Sequence, residues 1–85
     1  MKEFKYVITD PEGIHARPAG ELIKACKAYS SKIMIAKDGK AVDCKKIFGV
    51  MGLGVKNGME VTFTFDGEDE DAACEGISKF MQENL

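Results

Sequence analysis

The chain has a single histidine, and its three cysteines, Cys26, Cys44 and Cys74, stand far apart. Zinc sites draw on several His and Cys ligands, usually with two of them close in sequence, so this inventory argues against a metal centre. A disulfide framework shows more cysteines at closer spacing; these three fall in segments with the pattern of packed elements and are expected to be buried thiols in a reducing cytosol. An excess of positive charge is also missing. Twelve Lys and Arg stand against fourteen Asp and Glu, a net charge of -2, which gives no electrostatic footprint for nucleic acid. No apolar run approaches the roughly 20 residues of a membrane span. The opening stretch "MKEFKYVITD" lacks the apolar core of a secretory signal, so a cytoplasmic protein without membrane insertion is expected. What is present is ordinary for a globular domain: 85 residues, 45% hydrophobic and 31% charged. That is enough for one domain, residues 1–85, around one modest core.

Periodicity divides the chain into alternating strands and helices. Residues 3–8 place Phe4, Tyr6 and Ile8 on one face, as a half-buried strand does. From Ala16 to about Tyr29 the apolar positions Ala19, Leu22, Ile23, Cys26 and Tyr29 follow helical spacing, with Glu21, Lys24 and Lys27 opposite. "KIMIA" and "KAVDC" read as two strands joined at Asp38-Gly39, a pair suited to the positive φ angles of a tight hairpin. "VTFTF" alternates with Val61, Phe63 and Phe65 inward. After Asp66-Gly67, the acidic run "EDED" suits the positive end of a helix dipole, and Ala73, Ile77, Phe80 and Met81 continue at helical spacing. Hairpin pairing with helices on one face predicts an α+β two-layer sandwich.

Between the third and fourth strands lies "KKIFGVMGLGV". Its Gly49, Gly52 and Gly54 match neither the dinucleotide fingerprint nor the P-loop, so a nucleotide site is rejected. A short helical turn fits better, with Ile47, Val50 and Met51 at i, i+3 and i+4 and a stop at Gly52 or Gly54. Phe48 falls outside that face. Ile47, Phe48 and Met51 are then either core contacts or a small apolar patch for a partner.

His15 sits in "DPEGIHARPAG", just before the first helix. Two readings of the residues stand side by side. In one, the histidine merely caps the helix and Arg17 is a solvated charge. In the other, Gly13 permits an unusual turn before the ring, and the ring lies where the free N–H groups of the helix point outward as a ready anion site. Arg17 adds a fork of donors to that anion, and Pro18 fits the first turn, where no amide donor is missed. A neutral imidazole nitrogen is a good nucleophile near neutral pH. Together these parts suit a phosphohistidine.

"GIHARPAG" closely resembles the active-site motif of the HPr family, the histidine-containing phosphocarriers of the bacterial phosphoenolpyruvate-dependent sugar phosphotransferase system. "KKIFGVMGLGVKNG" resembles the family's second motif, and the length and element order fit across the whole chain. The resemblance implies an open-faced two-layer sandwich, βαββαβα, with a four-stranded antiparallel sheet covered on one face by three helices. It implies that His15 accepts a phosphoryl group at Nδ1 from phosphorylated enzyme I and passes it to enzyme IIA domains, with Arg17 steadying the group. Ile47, Phe48 and Met51 match the family's docking patch, and Lys24 and Lys27 lie where basic residues can flank it. No cofactor is implied and a monomer is expected. The protein would be a covalent intermediate in phosphotransfer rather than a turnover enzyme.

The resemblance has a gap. In many Gram-positive relatives the residue after the first lysine of the second motif is a serine modified by an ATP-dependent kinase; here that position is Lys46. Gly52, where serine is common, is a milder departure, while Glu12 and Gly20 occupy variable places. The alternative function is a paralogue acting as a regulatory interaction module outside sugar uptake. Such relatives are expected to lose the histidine and keep the serine, and this chain does the reverse. A plain interaction module with a chance motif leaves the His-Ala-Arg-Pro order unexplained.

Overall fold

The computed structural model describes all 85 residues. Seven elements follow one another: β1 (Lys2–Val7), α1 (Ala16–Lys27), β2 (Lys32–Lys37), β3 (Lys40–Asp43), α2 (Ile47–Gly52), β4 (Glu60–Asp66) and α3 (Glu70–Asn84). The strands form one sheet in the order β1-β4-β2-β3, every neighbour antiparallel. β4, the most cleanly alternating segment, is central. Val61, Phe63 and Phe65 are fully buried on one face, while Thr62 and Thr64 face the other. Register carries this pattern across the sheet. Phe4 opposes Phe63 and Tyr6 opposes Val61 on β1; Ile33 opposes Phe65 and Ile35 opposes Phe63 on β2. Residues directly opposite share a face, so one face is apolar throughout its centre. The rings of Phe4, Phe63 and Phe65 stack along it with centroids 6.2 and 6.3 Å apart.

The β2–β3 hairpin turns at Asp38 (φ 52°) and Gly39 (φ 83°), the only two residues between the paired Lys37 and Lys40. Two successive positive φ angles match the right-handed twist of the strands, as expected from Asp-Gly. The helices cover the apolar face. Leu22, Ile23 and Cys26 of α1 and Ala73, Ile77 and Met81 of α3 enter the same core as the inward strand residues. α3 packs on β1, β4 and α1, and α2 packs between α1 and β3. The expected open-faced sandwich is observed.

Three details differ from the periodicity reading. α1 ends at Lys27, so Tyr29 lies in the turn beyond it. There the ring serves a different contact, its hydroxyl lying over Gly76 of α3, where a Cβ would come within 2.0 Å of the oxygen. Cys44 falls one residue past β3, still buried, with its amide donating to the Ile33 carbonyl at 2.9 Å. Of the three thiols, Cys26 and Cys44 are buried and Cys74 is only half-buried.

The turn after α1 is held from two sides. The Asp69 carboxylate accepts from the amides of Ser30 (2.8 Å) and Ser31 (2.9 Å) and from the Ser31 hydroxyl. The Lys45 ammonium donates to the carbonyls of Tyr29 (2.8 Å) and Ser31 (2.9 Å). Asp69 precedes α3 and Lys45 precedes α2, so one turn ties the start of both helices to the end of α1.

Candidate functional site

His15 is the N-cap of α1. Its backbone is extended (φ -96°, ψ -173°), its carbonyl accepts the first helical bond from Ala19 at 2.9 Å, and its side chain makes no capping bond. The imidazole is therefore free for chemistry, with its side chain 32% exposed. The first amides of a helix have no intrahelical acceptor. In "ARP" the third of those positions is Pro18, which has no N–H, so the donors beside the ring are those of Ala16 and Arg17. No acidic residue occupies the first turn of α1 to neutralise them.

The loop that presents the ring is braced along its length. Gly13 has φ +70°, and a Cβ there would lie 2.3 Å from the Val55 carbonyl oxygen and 2.5 Å from Lys56 Cα. Only glycine allows both that conformation and that approach. The Ile14 amide donates to the Val55 carbonyl at 3.0 Å, and the Asn57 side-chain amide donates to the Thr9 carbonyl at 3.0 Å. On the other side, the Leu85 carbonyl accepts from the amides of Thr9 and Asp10 and from the Thr9 hydroxyl. Sequence reasoning missed Val55, Asn57 and Leu85 as supports. Only Gly13 signalled a close approach, and nothing in the pattern named its partner.

Arg17 lies on the exposed side of the first turn. Its Nη1 is 3.5 Å from Glu21 Oε2, a pair one helical turn apart on the same surface. The guanidinium thus rests on its own helix rather than on the ring. Glu12 supplies the charged neighbour of the ring instead, with Oε2 3.3 Å from His15 Nε2.

α2 carries the second group of candidates. Its N-cap is Lys46, exposed and with no side-chain cap bond. Val50 is fully buried and anchors the turn in the core. Ile47 is half-buried against that core, whereas Phe48 is 88% and Met51 40% exposed. α2 ends at Gly52, and Gly54 follows in a left-handed conformation (φ +65°) with its amide on the Met51 carbonyl. Lys24 and Lys27, exposed in the last turn of α1, stand on the helix against which α2 packs. The exposed apolar surface is therefore mainly Phe48 and Met51, with Ile47 at its root.

The cysteines belong to the core. The Cys26 thiol donates to Cys44 Sγ at 3.3 Å, and that contact, with burial, pushes the Cys44 thiol well above its usual range. No three His, Cys, Asp or Glu side chains converge as a metal set. The largest groove, about 270 Å³ and lined by Ala36 to Gly39, Met59, Glu60 and Thr62, contains none of the candidate residues. No helix is long and apolar enough to cross a membrane.

Comparison with known proteins agrees with this geometry. The family model described as "PTS HPr component phosphorylation site" matches residues 2–83. The phosphocarrier protein HPr of Lysinibacillus sphaericus is 41% identical over 83 residues, covering 98% of this chain and 94% of that protein. A crystal structure of HPr from Thermoanaerobacter tengcongensis superposes with a TM-score of 0.94 at 36% identity, over 98% of this chain and 93% of that one. The Bacillus subtilis catabolite-repression protein Crh, described as a domain-swapped intertwined dimer, superposes with a TM-score of 0.79 at 36% identity, over 100% and 98% of the two chains.

Proposed function

The chain belongs to the HPr family of the phosphotransferase system, and from that premise we propose that it carries a phosphoryl group on His15 Nδ1, taken from phosphorylated enzyme I and delivered to enzyme IIA domains. The observation that carries the proposal is the placement of a lone, partly exposed imidazole at the N-cap of α1, beside two amides without helical acceptors. In the transfer, the Nδ1 lone pair forms a bond to phosphorus as the bond from phosphorus to the donor nitrogen breaks, and the donor leaves with that electron pair. Negative charge on the phosphoryl oxygens is met by the amides of Ala16 and Arg17 and by the positive end of the helix.

Arg17 joins by leaving Glu21. An exposed pair one helical turn apart is worth about 0.3–0.5 kcal/mol. A hydrogen bond to a charged group is worth about 1.5–3 kcal/mol, so a bound phosphoryl group outcompetes the carboxylate. Ile47, Phe48 and Met51, flanked by Lys24 and Lys27, form the face on which partners dock. The carrier is a cytoplasmic monomer that is itself the phosphorylated intermediate and needs no cofactor.

A regulatory role like that of a paralogue outside sugar uptake is the second reading, and the likeness to Crh is what favours it. Retention of His15 and the presence of Lys46 at the serine position support the carrier instead. Incubation with enzyme I and labelled phosphoenolpyruvate tests the choice. Acid-labile label is expected on the wild-type protein and none on His15→Ala, whose fold should survive because the side chain makes no capping bond and lies outside the hydrophobic core. Label persisting in His15→Ala, or absent from both, contradicts the carrier reading.

A further inference from the structure

The Glu12 carboxylate stands beside the His15 ring, Oε2 lying 3.3 Å from Nε2. Its backbone is not free to drift. The Glu12 amide donates to Asp10 Oδ1 at 2.8 Å, and the Gly13 amide donates to the Asp10 carbonyl at 3.0 Å. The next residue is wedged against Val55 and Lys56. Asp10 is thus occupied with the turn. Arg17, the nearest cation in sequence, is paired with Glu21. The Glu12 carboxylate, 76% exposed, has the ring as its charged-pair partner.

An imidazole has one proton to place when neutral, and the acceptor at one nitrogen decides where it goes. A carboxylate at Nε2 holds the proton there and leaves the lone pair on Nδ1. We propose that Glu12 is a positioning residue, selecting the Nε2–H form of His15 and so presenting Nδ1 as the nucleophile. This rests on the reading of His15 as phosphoryl acceptor and adds a residue to it. The step needs no proton transfer. Nδ1 forms the bond to phosphorus while the bond from phosphorus to the leaving nitrogen breaks, and the leaving group departs with the bonding pair. The ring keeps its Nε2 proton and becomes a phosphoimidazolium, whose positive charge is shared with the nitrogen that faces Glu12. When the phosphoryl group leaves for an acceptor, the pair returns to Nδ1 and the same neutral form is restored.

The test uses Glu12→Ala and Glu12→Gln, the second keeping an acceptor oxygen at similar reach. Ring ¹⁵N chemical shifts, recorded where the imidazole is neutral, report the ratio of the two tautomers. Phosphoramidate serves as a donor that requires no docking surface, its phosphorus–nitrogen bond breaking to release ammonia, and the rate of Nδ1 phosphorylation is followed by ³¹P NMR. In Glu12→Ala the ratio of Nε2–H to Nδ1–H tautomer should fall by about two- to fivefold, the scale of one exposed charged contact, and the Nδ1 rate should fall in proportion to the smaller loss of Nε2–H fraction, with Glu12→Gln restoring most of both. An unchanged tautomer ratio in Glu12→Ala, an unchanged rate despite a shifted ratio, or no rescue by Glu12→Gln overturns the proposal. The ¹⁵N ratio requires no phosphoryl transfer, so the ring contact is decided even if enzyme I proves not to phosphorylate this protein.

Discussion

His15 and Arg17 stand two residues apart, and their side chains are held differently. The ring waits at the N-cap without a capping bond, and the guanidinium rests on Glu21. If the guanidinium moves to the phosphoryl group on loading, Arg17→Ala should change stability by no more than about 0.5 kcal/mol, since only an exposed helical pair is lost. Transfer should slow by roughly ten- to a hundredfold, the worth of a charge-assisted contact. Denaturant unfolding and single-turnover transfer measure the two quantities; a wild-type transfer rate would leave Arg17 a surface charge. The thiols give a second residue-scale expectation. A buried thiol is out of a reagent's reach, so a thiol-specific reagent should modify the half-buried Cys74 in the native protein and spare Cys26 and Cys44 until unfolding. Rapid modification of either buried cysteine, located by peptide mass, would contradict the packing described. The histidine and its arginine were legible because a motif names them. Glu12 was not, because Asp10-Pro11-Glu12-Gly13 signals a turn without naming the ring as the place where that turn aims the Glu12 side chain.

At the scale of elements, α2 combines an anchor and a display. Val50 is buried while Phe48 projects almost fully into solvent. Phe48→Ala should therefore weaken binding to partner enzymes by about tenfold or more, as truncation of an aromatic anchor commonly does, while leaving the thermal midpoint nearly unchanged. Calorimetric titration against enzyme I and a melting curve make the comparison; a protein that melts early and binds normally would place Phe48 in the core. Lys46, the N-cap of the same helix, offers no hydroxyl, and its charge is opposite to that of a phosphoserine. The chain should gain no acid-stable phosphate when incubated with the serine kinase of Gram-positive relatives and ATP; a stoichiometric mass increase would reveal a regulatory site elsewhere. Long or strongly periodic elements were readable in advance. β4 shows its two-residue alternation in five letters, and Asp38-Gly39 carries the backbone angles of its hairpin. Tyr29 misled because its apolar spacing continues that of α1 while its ring serves α3. The braces of the His15 loop, from Val55, Asn57 and Leu85, rest chiefly on backbone groups and leave no pattern of side chains to read.

Across the whole molecule, Asp69 ties the start of α3 to the turn between α1 and β2. Hydrogen bonds from the Ser31 hydroxyl and the Ser30 and Ser31 amides hold its carboxyl down to about 2, against about 3.9 in an unfolded chain. Its contribution is therefore fully present above the unfolded value and is lost as pH falls through the folded one. Asp69→Asn should lower the thermal midpoint at pH 7, and the gap from wild type should close between about pH 4 and pH 2; parallel curves across that window would contradict the role given to Asp69. The start of α1 holds one imidazole, the proposed seat of the phosphoryl group at Nδ1. The most direct measurement is NMR of the ¹⁵N-histidine-labelled protein after reaction with enzyme I and phosphoenolpyruvate. One phosphorus resonance coupled to Nδ1 of His15 is expected, lost again on addition of an enzyme IIA domain. A phosphorus coupled to Nε2, or no coupling to the His15 ring at all, would contradict it.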